Sequence, residues 1–335
     1  MAKILVIGGT GALGTYLVPE LLRRGNRVDV ASLDERTSDD PNLRYLCMDA
    51  KKIDHLKELL SNRYDAIVDF MLYFTSEFRE RYELFLKNTG HYIYLSTYRI
   101  YADSPTPITE ESARILETVK DPAYLAHAED EYSLYKALGE DMLRSSPYRN
   151  FTILRPSITY SKRRFQLVTL EAATVVKRMR EGKIVILPEE AMEKQTTLTW
   201  AGDFARMVAP LILNEKAFGE TYTIATGEHH TWREMAEIYR EIGGLRYMTV
   251  DAETYLHLWS SGNFQARAQL YFDRLFERAI DNTKILKASG LRQQDLMPVK
   301  EGLRRELAAL PKDADLGDHP SNARMDVYLK EHGIE

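Results

Sequence analysis

The stretch KILVIGGTGALGTYL, residues 3–17, runs four aliphatic residues straight into glycines at 8, 11 and 14. An apolar run of this length is a buried strand, and the segment after it, up to Gly25, has the periodicity of a helix. Between them Gly8 permits a sharp turn at the strand end. Gly11 removes a side chain where a pyrophosphate would approach the backbone, and Gly14 lets helix and strand pack closely. The free N–H groups and the positive end of the helix dipole then face the phosphates. The stretch therefore predicts strand, phosphate cradle and helix, the opening unit of a dinucleotide-binding fold.

Working outward, the pattern repeats. Strands are expected at Ile4–Ile7, Arg27–Leu33, Leu43–Cys47, Ala66–Phe70, Tyr92–Ser96 and Phe151–Arg155. Helices are expected over Leu13–Arg24 with a kink at Pro19, then Ile53–Leu60, Ser76–Lys87 and Asp130–Leu143. Such alternation with short connections implies an α/β fold, a doubly wound parallel sheet with helices on both faces. The turn-rich, acidic residues 103–130 read as a long surface excursion. Further on, helices are expected at Leu167–Glu181, Phe204–Leu213 and Trp232–Ile242, and strands at Ile184–Leu187 and Thr221–Ala225. The expected organisation is a dinucleotide domain over 1–155, to which strands near 195–228 return. A smaller substrate lobe spans 156–310 and a polar tail 311–335.

Composition narrows the function. A net charge of −5 offers no basic stripe for nucleic acid and no polybasic face for a membrane. No apolar run is long enough to span a bilayer, and Ile4–Ile7 is too short for a signal peptide. Cys47 is the only cysteine, so no intrachain disulfide forms, and a cytoplasmic location is expected. His229 and His230 are adjacent but lack any metal-ligand spacing, so no metal site is expected.

A second cluster carries chemistry. In DEYSLYKALGEDML, Tyr132 and Lys136 are four apart and share a helix face. Among twenty tyrosines only Tyr132 has a lysine four residues later; Tyr135 has Gly139 there. A phenol is a poor base near neutrality, and a neighbouring ammonium favours the phenolate. Such a phenolate removes a proton from a hydroxyl as hydride leaves for a nicotinamide. The segment YLSTYRIYAD, after the Tyr92 strand, brings Ser96 and Thr97 to a strand end.

The G-x-x-G-x-x-G spacing, with Thr97, Tyr132 and Lys136 in order, resembles the short-chain dehydrogenase/reductase superfamily. GGTGALG, LSTYRIYAD, TPITEES, YSLYKALGED, NFTILRPSITYS, TLTWAGDFARMV, TYTIATGEHHTWREMAEI and AIDNTKILKASGL together resemble its extended group, the NAD-dependent epimerase/dehydratase family of nucleotide-sugar enzymes. The resemblance implies that Thr97 orients the reacting oxygen, Tyr132 is the general base or acid, and Lys136 tunes it and bonds the nicotinamide ribose. It implies that Gly8, Thr10, Gly11, Ala12, Leu13 and Gly14 hold the pyrophosphate and that Asp49 meets the adenine. Ser96, Pro156, Ser157 and Ile158 would lie towards the nicotinamide. The implied substrate is a nucleotide sugar, and the implied assembly a homodimer.

Several positions depart from the family pattern. Ser32 stands where an acidic residue would take the adenosine ribose, with Asp34 and Glu35 after it and Arg36 near enough for a 2′-phosphate. NAD and NADP both stay open, with NAD the first choice. FMLYFT, beginning at Phe70, replaces the usual His-Leu-Ala-Ala. The arginine that grips the sugar-nucleotide diphosphate falls at Thr196, leaving Arg274 and Arg278 as candidates to replace it. No acid pair stands beside Thr97, which favours epimerisation or ketone reduction over dehydration. The alternatives are an NADPH-dependent reductase of a keto-sugar or other carbonyl compound, and a non-catalytic or RNA-binding member of the superfamily.

Overall fold

A computed structural model describes residues 1–104 and 107–334. Residues 105 and 106, within the expected excursion and the second of them opening the TPITEES match, and residue 335 of the expected tail lie outside the described residues.

Seven strands form one parallel sheet: β1 (Lys3–Ile7), β2 (Arg27–Ser32), β3 (Leu43–Cys47), β4 (Tyr64–Asp69), β5 (Thr89–Leu95), β6 (Phe151–Pro156) and β7 (Thr221–Ile224). Their order is β7-β6-β5-β4-β1-β2-β3, with Ile4 registered on Val28 of one neighbour and Ala66 of the other. The chain leaves β1 towards one edge and returns through β4 towards the other. The crevice at the carboxyl ends of β1 and β4 is thus the switch point, where doubly wound sheets take their ligands.

Alternation along the strands builds a core on each face. Ile4, Val6, Val28, Val30 and Val68 pack on Leu17, Val18 and Leu21 of helix α1 (Gly14–Arg23) and on Phe204 and Val208. Leu5, Ile7, Ile67, Tyr92 and Tyr94 pack on Leu56, Leu59 and Leu60 of α2 (Ile53–Ser61), and on Phe78, Phe85 and Leu143. Helix α3 (Tyr132–Ser145) contributes Leu143 and carries the Tyr–Lys pair. A further core, including Tyr160, Phe165, Leu187, Trp232, Tyr239 and Tyr255, belongs to the later part of the chain. There Ile184–Pro188 pairs with Arg246–Val250, and Ile158–Tyr160 with Leu198–Trp200.

Several expected elements differ. The helix expected over Ser76–Lys87 is two, Thr75–Arg79 and Tyr82–Lys87, parted where Arg81 turns inward to donate to the Glu77 and Lys51 carbonyls at 2.6 and 2.7 Å. Only Val175–Arg180 of the helix expected over Leu167–Glu181 is helical. Leu167, Val168 and Leu170 are all buried, so the segment has no wet face, and Leu167 and Leu170 bond each other in a tight turn. The helix expected to reach Leu213 ends at Val208, because Pro210 takes the following residues into a 3₁₀ turn. Residues after 311, expected as a polar tail, include a helix over Ser321–Glu331 that buries Met325 and Leu329. The excursion carries one-turn helices at Ile115–Thr118 and Pro122–Leu125, with Ile115 and Tyr124 packed on Leu134 of α3. Among the described residues no helix is long and apolar enough to cross a membrane.

Candidate active site

The glycine turn opens on a cleft of about 420 Å³ between the sheet and the later part of the chain. Gly8 takes φ +73° and its N–H donates to the Ala31 carbonyl at 2.8 Å, which swings the chain off β1. A Cβ on Gly14 would lie 2.2 Å from the Gly9 carbonyl oxygen, so only glycine lets the helix start this close to the turn. A Cβ on Gly11 would meet only the Gly8 carbonyl, at 3.3 Å, leaving its other side open to the cleft. Helix α1 has no side-chain N-cap and no acid in its first turn, so a side chain does not take the place of an anion there. Gly8, Gly11, Ala12, Leu13 and Gly14 all line the cleft, and this cradle fits a dinucleotide pyrophosphate. Thr10 lies at the turn's rim, buried, outside the lining.

Thr97 and Tyr132 line the same cleft, as do Pro156, Ser157 and Ile158. Thr97 follows β5 and caps a 3₁₀ turn, its Oγ1 accepting from the Arg99 N–H at 3.2 Å. Tyr132 is the first residue of α3, half-buried, its ring edge-on to Tyr135 with centroids 5.6 Å apart. One turn on, Lys136 is buried beneath, where its Nζ donates to the Leu95 carbonyl at 2.6 Å. Burial pushes the Lys136 ammonium down to about 8, opposed by the Asp69 and Glu140 carboxylates. Asp69, at the end of β4, is itself pushed up to about 6 by burial, opposed by hydrogen bonds from the Met71 N–H at 3.0 Å and the Tyr92 hydroxyl at 2.8 Å. Ser96 is buried, and among the described residues its Oγ has no hydrogen-bond partner.

The two arginines proposed for the substrate end part company. Arg274 lines the cleft, held by Nε to the Val168 carbonyl at 2.7 Å and by Nη1 to the Tyr98 hydroxyl at 2.7 Å. Val168 sits at φ +54°, unusual for a β-branched residue, in the turn that presents this carbonyl. Arg278 does not line the cleft. Its guanidinium is spent on Asp273 and on the Ala102 and Tyr101 carbonyls, which makes it a brace. Arg164, Gln166, Glu171 and Gln269 complete the polar wall, with burial pushing the Glu171 carboxyl up. Phe70 and Leu72 supply an apolar side.

At the adenosine end, Ser32 closes β2 and its Oγ accepts from the Asp34 N–H at 3.2 Å. Arg36 faces the Asp34 carboxylate at 3.5 Å, beside a second, open cavity with Glu35, Thr37, Tyr45 and Cys47. Asp49 organises the turn after β3 by accepting from the Lys51 N–H at 3.0 Å. Neither Ser32, Arg36 nor Asp49 lines the main cleft. His230 pairs with Glu228 at 2.8 Å, and among the described residues no group of three His, Cys, Asp or Glu gathers to hold a metal.

Sequence reasoning missed Arg99. Its guanidinium stacks over the Tyr132 ring at 4.9 Å and bridges Glu131 at 3.3 Å and Asp273 at 3.4 Å. A lone cation among the aromatic residues of TYRIY was the available signal. Gln166, Glu171 and Gln269 gave none, because the turns that bring them together share no local pattern.

Solved structures share this architecture. Epimerase Mth375 of Methanothermobacter thermautotrophicus is 16% identical with a TM-score of 0.67, covering 92% of this chain and 91% of that one. The dTDP-glucose 4,6-dehydratase of Bacillus anthracis, solved with NAD, is 19% identical with a TM-score of 0.67, covering 92% and 96%. The UDP-glucose 4-epimerase of Thermus thermophilus, solved with NAD, is 19% identical with a TM-score of 0.62, covering 91% and 98%. At these identities the likeness is one of fold. No curated protein matches the chain in sequence. The model of the NAD dependent epimerase/dehydratase family matches residues 4–225, about two-thirds of the chain. That span runs from β1 through the glycine turn and α3 to the last strand of the sheet, and the chain belongs to the NAD dependent epimerase/dehydratase family.

Proposed function

We propose that the protein is a nicotinamide-dependent oxidoreductase that epimerises a nucleotide sugar, with Tyr132 as general base and acid. One observation carries the reading: the glycine cradle, Thr97 and Tyr132 open on one cleft, with Lys136 held beneath them by the Leu95 carbonyl. Membership of the family supports it, as do relatives solved with NAD.

A bound oxidised nicotinamide would supply the hydride acceptor. The chain's own residues handle the proton. Tyr132 takes it from the sugar hydroxyl, Thr97 Oγ1 orients that oxygen, and the Lys136 ammonium stabilises negative charge at the phenol. Epimerisation asks Tyr132 to return the proton once the sugar presents its other face, so one residue serves as base and then acid. Tyr98 and Arg99 follow Thr97 and no acid pair stands there, which supports epimerisation over dehydration. The Asp34 carboxylate facing Arg36, with Glu35 adjacent, supports NAD over NADP, because it opposes a 2′-phosphate. A cytoplasmic homodimer completes the proposal, the exposed Phe74 edge-on to Tyr135 of α3 being the apolar surface that favours pairing.

Chromatography of nucleotide released from the purified, denatured protein tests the reading. Near-stoichiometric NAD means the cofactor is recycled in place and supports an epimerase. Protein that arrives empty but prefers NADPH shifts the assignment to a reductase. Failure to bind any dinucleotide overturns the proposal.

A further inference from the structure

The turn after Ile158–Tyr160 lies over the glycine loop. Ser161 and Arg164 exchange backbone hydrogen bonds at 3.0 Å each, which folds residues 161–164 into a tight turn. That turn touches the dinucleotide domain twice. The Lys162 N–H donates to the Tyr16 hydroxyl of α1 at 3.3 Å, and Arg163 Nη1 donates to the Thr10 carbonyl at 3.0 Å. The first contact stands on a rigid base. Tyr16 donates to Glu306 at 2.8 Å, the same Oε1 accepts from the Trp200 indole at 2.6 Å, and the Tyr16 and Trp200 rings meet edge-on at 5.7 Å.

Arg163 is the unusual member. Thr10 stands between Gly8 and Gly11 in the sequence, and both it and Arg163 sit at the rim of the cradle, outside the cleft lining. A guanidinium is a planar fork of N–H donors suited to gripping phosphate in pairs. Among the described residues no bond beyond that to Thr10 engages this guanidinium, and no ion pair does; the residue is exposed. A free cation with spare donors is therefore pinned by one branch to the loop that fits a pyrophosphate. Its anchor is in the substrate half of the chain. The first turn of the helix behind that loop offers no acid to compete for it.

We infer that Arg163 is a cofactor-binding residue that reaches from the substrate lobe, holding the glycine loop through Thr10 and the dinucleotide pyrophosphate through its remaining N–H groups, so that the 161–164 turn latches the cofactor in place. This rests on the dinucleotide reading given above. The latch makes loss of cofactor depend on lifting the turn, and retention of cofactor is what an enzyme that reuses the same hydride requires.

The test uses full-length protein loaded with whichever of NADH or NADPH the wild type holds. Release is followed as loss of nucleotide fluorescence after mixing with an excess of the oxidised form. Arg163→Met is expected to speed release at least about tenfold, the size of one charge-assisted hydrogen bond. Arg163→Lys keeps the cation and should restore much of the difference. The melting temperature of nucleotide-stripped protein should fall only slightly in Arg163→Met, from loss of the Thr10 bond, whereas that of loaded protein should fall clearly further. Release rates equal within about twofold overturn the latch, as does a melting temperature lowered equally in stripped and loaded protein, the mark of a plain brace. A wild type that holds no reduced dinucleotide brings down the dinucleotide reading itself, a result distinct from either.

Discussion

Burying Lys136 ties the site to pH. Its ammonium is pushed down to about 8, below the ordinary 10.5, so between these values the folded protein has released a proton that the unfolded chain keeps. Stability is therefore predicted to rise as pH climbs through that window, the full penalty being felt below about 8. Lys136→Met should flatten this slope in thermal melts, and an unchanged slope would disprove the assignment. Turnover should run the other way, falling above pH about 8 as the Lys136 ammonium loses its proton. Asp69 opposes that loss, so Asp69→Asn is predicted to move the alkaline fall to lower pH in a pH–rate profile. Tyr132→Phe should keep cofactor binding while lowering turnover by about 10²–10⁴-fold or more, as removal of a general base does. Full activity of that variant on a proven substrate would sink the mechanism. These residues were legible because spacing alone singled out Tyr132 and Lys136. Asp69 and Arg99 were not, since their importance comes from burial beside the pair, which no local pattern records. Nor could spacing choose between Arg274 and Arg278, which stand four residues apart yet end in a cleft wall and in a brace.

Helix α3 must seat its first turn accurately, and it does so by contacts further along. Glu140 accepts both arms of Arg155 from β6 at 2.9 and 2.7 Å, with both side chains buried. Glu140→Ala would strand a buried guanidinium, and a loss of about 3–5 kcal/mol is predicted, read by denaturant titration. At Gly139 a Cβ would lie 2.3 Å from the Tyr94 hydroxyl oxygen, so Gly139→Ala should push the helix off β5 and lower kcat more than it weakens cofactor binding. Equal kinetics in wild type and variant would show that the site tolerates the shift. The order β1, turn, α1 and the existence of α3 were readable from an unbroken apolar run, a glycine turn and helical spacing. The start of the stretch 167–181 was not: the buried apolar residues Leu167, Val168 and Leu170 suit a buried turn as well as a helix.

Ligand binding and assembly belong to the full chain, since the cleft takes residues from Gly8 to Arg274. A dinucleotide bound only by the folded state should raise the melting temperature, by an amount equivalent to about 2.7 kcal/mol at a hundredfold excess over Kd. NAD is expected to raise it more than NADP, and the reverse order would place a 2′-phosphate beside Arg36. Sheet order also has a consequence for how the protein is made. Strand β7 is drawn from residues 221–224 yet pairs with β6, which ends at Pro156. At about 5–20 residues per second, a ribosome leaves the β6 edge without its partner for several seconds while the intervening lobe emerges. During that interval the nascent chain displays an open, apolar strand edge of the kind that recruits other chains. Slowed translation between β6 and β7, or scarcity of chaperones, should therefore cost soluble yield, whereas changes to the tail beyond β7 should not act through this edge.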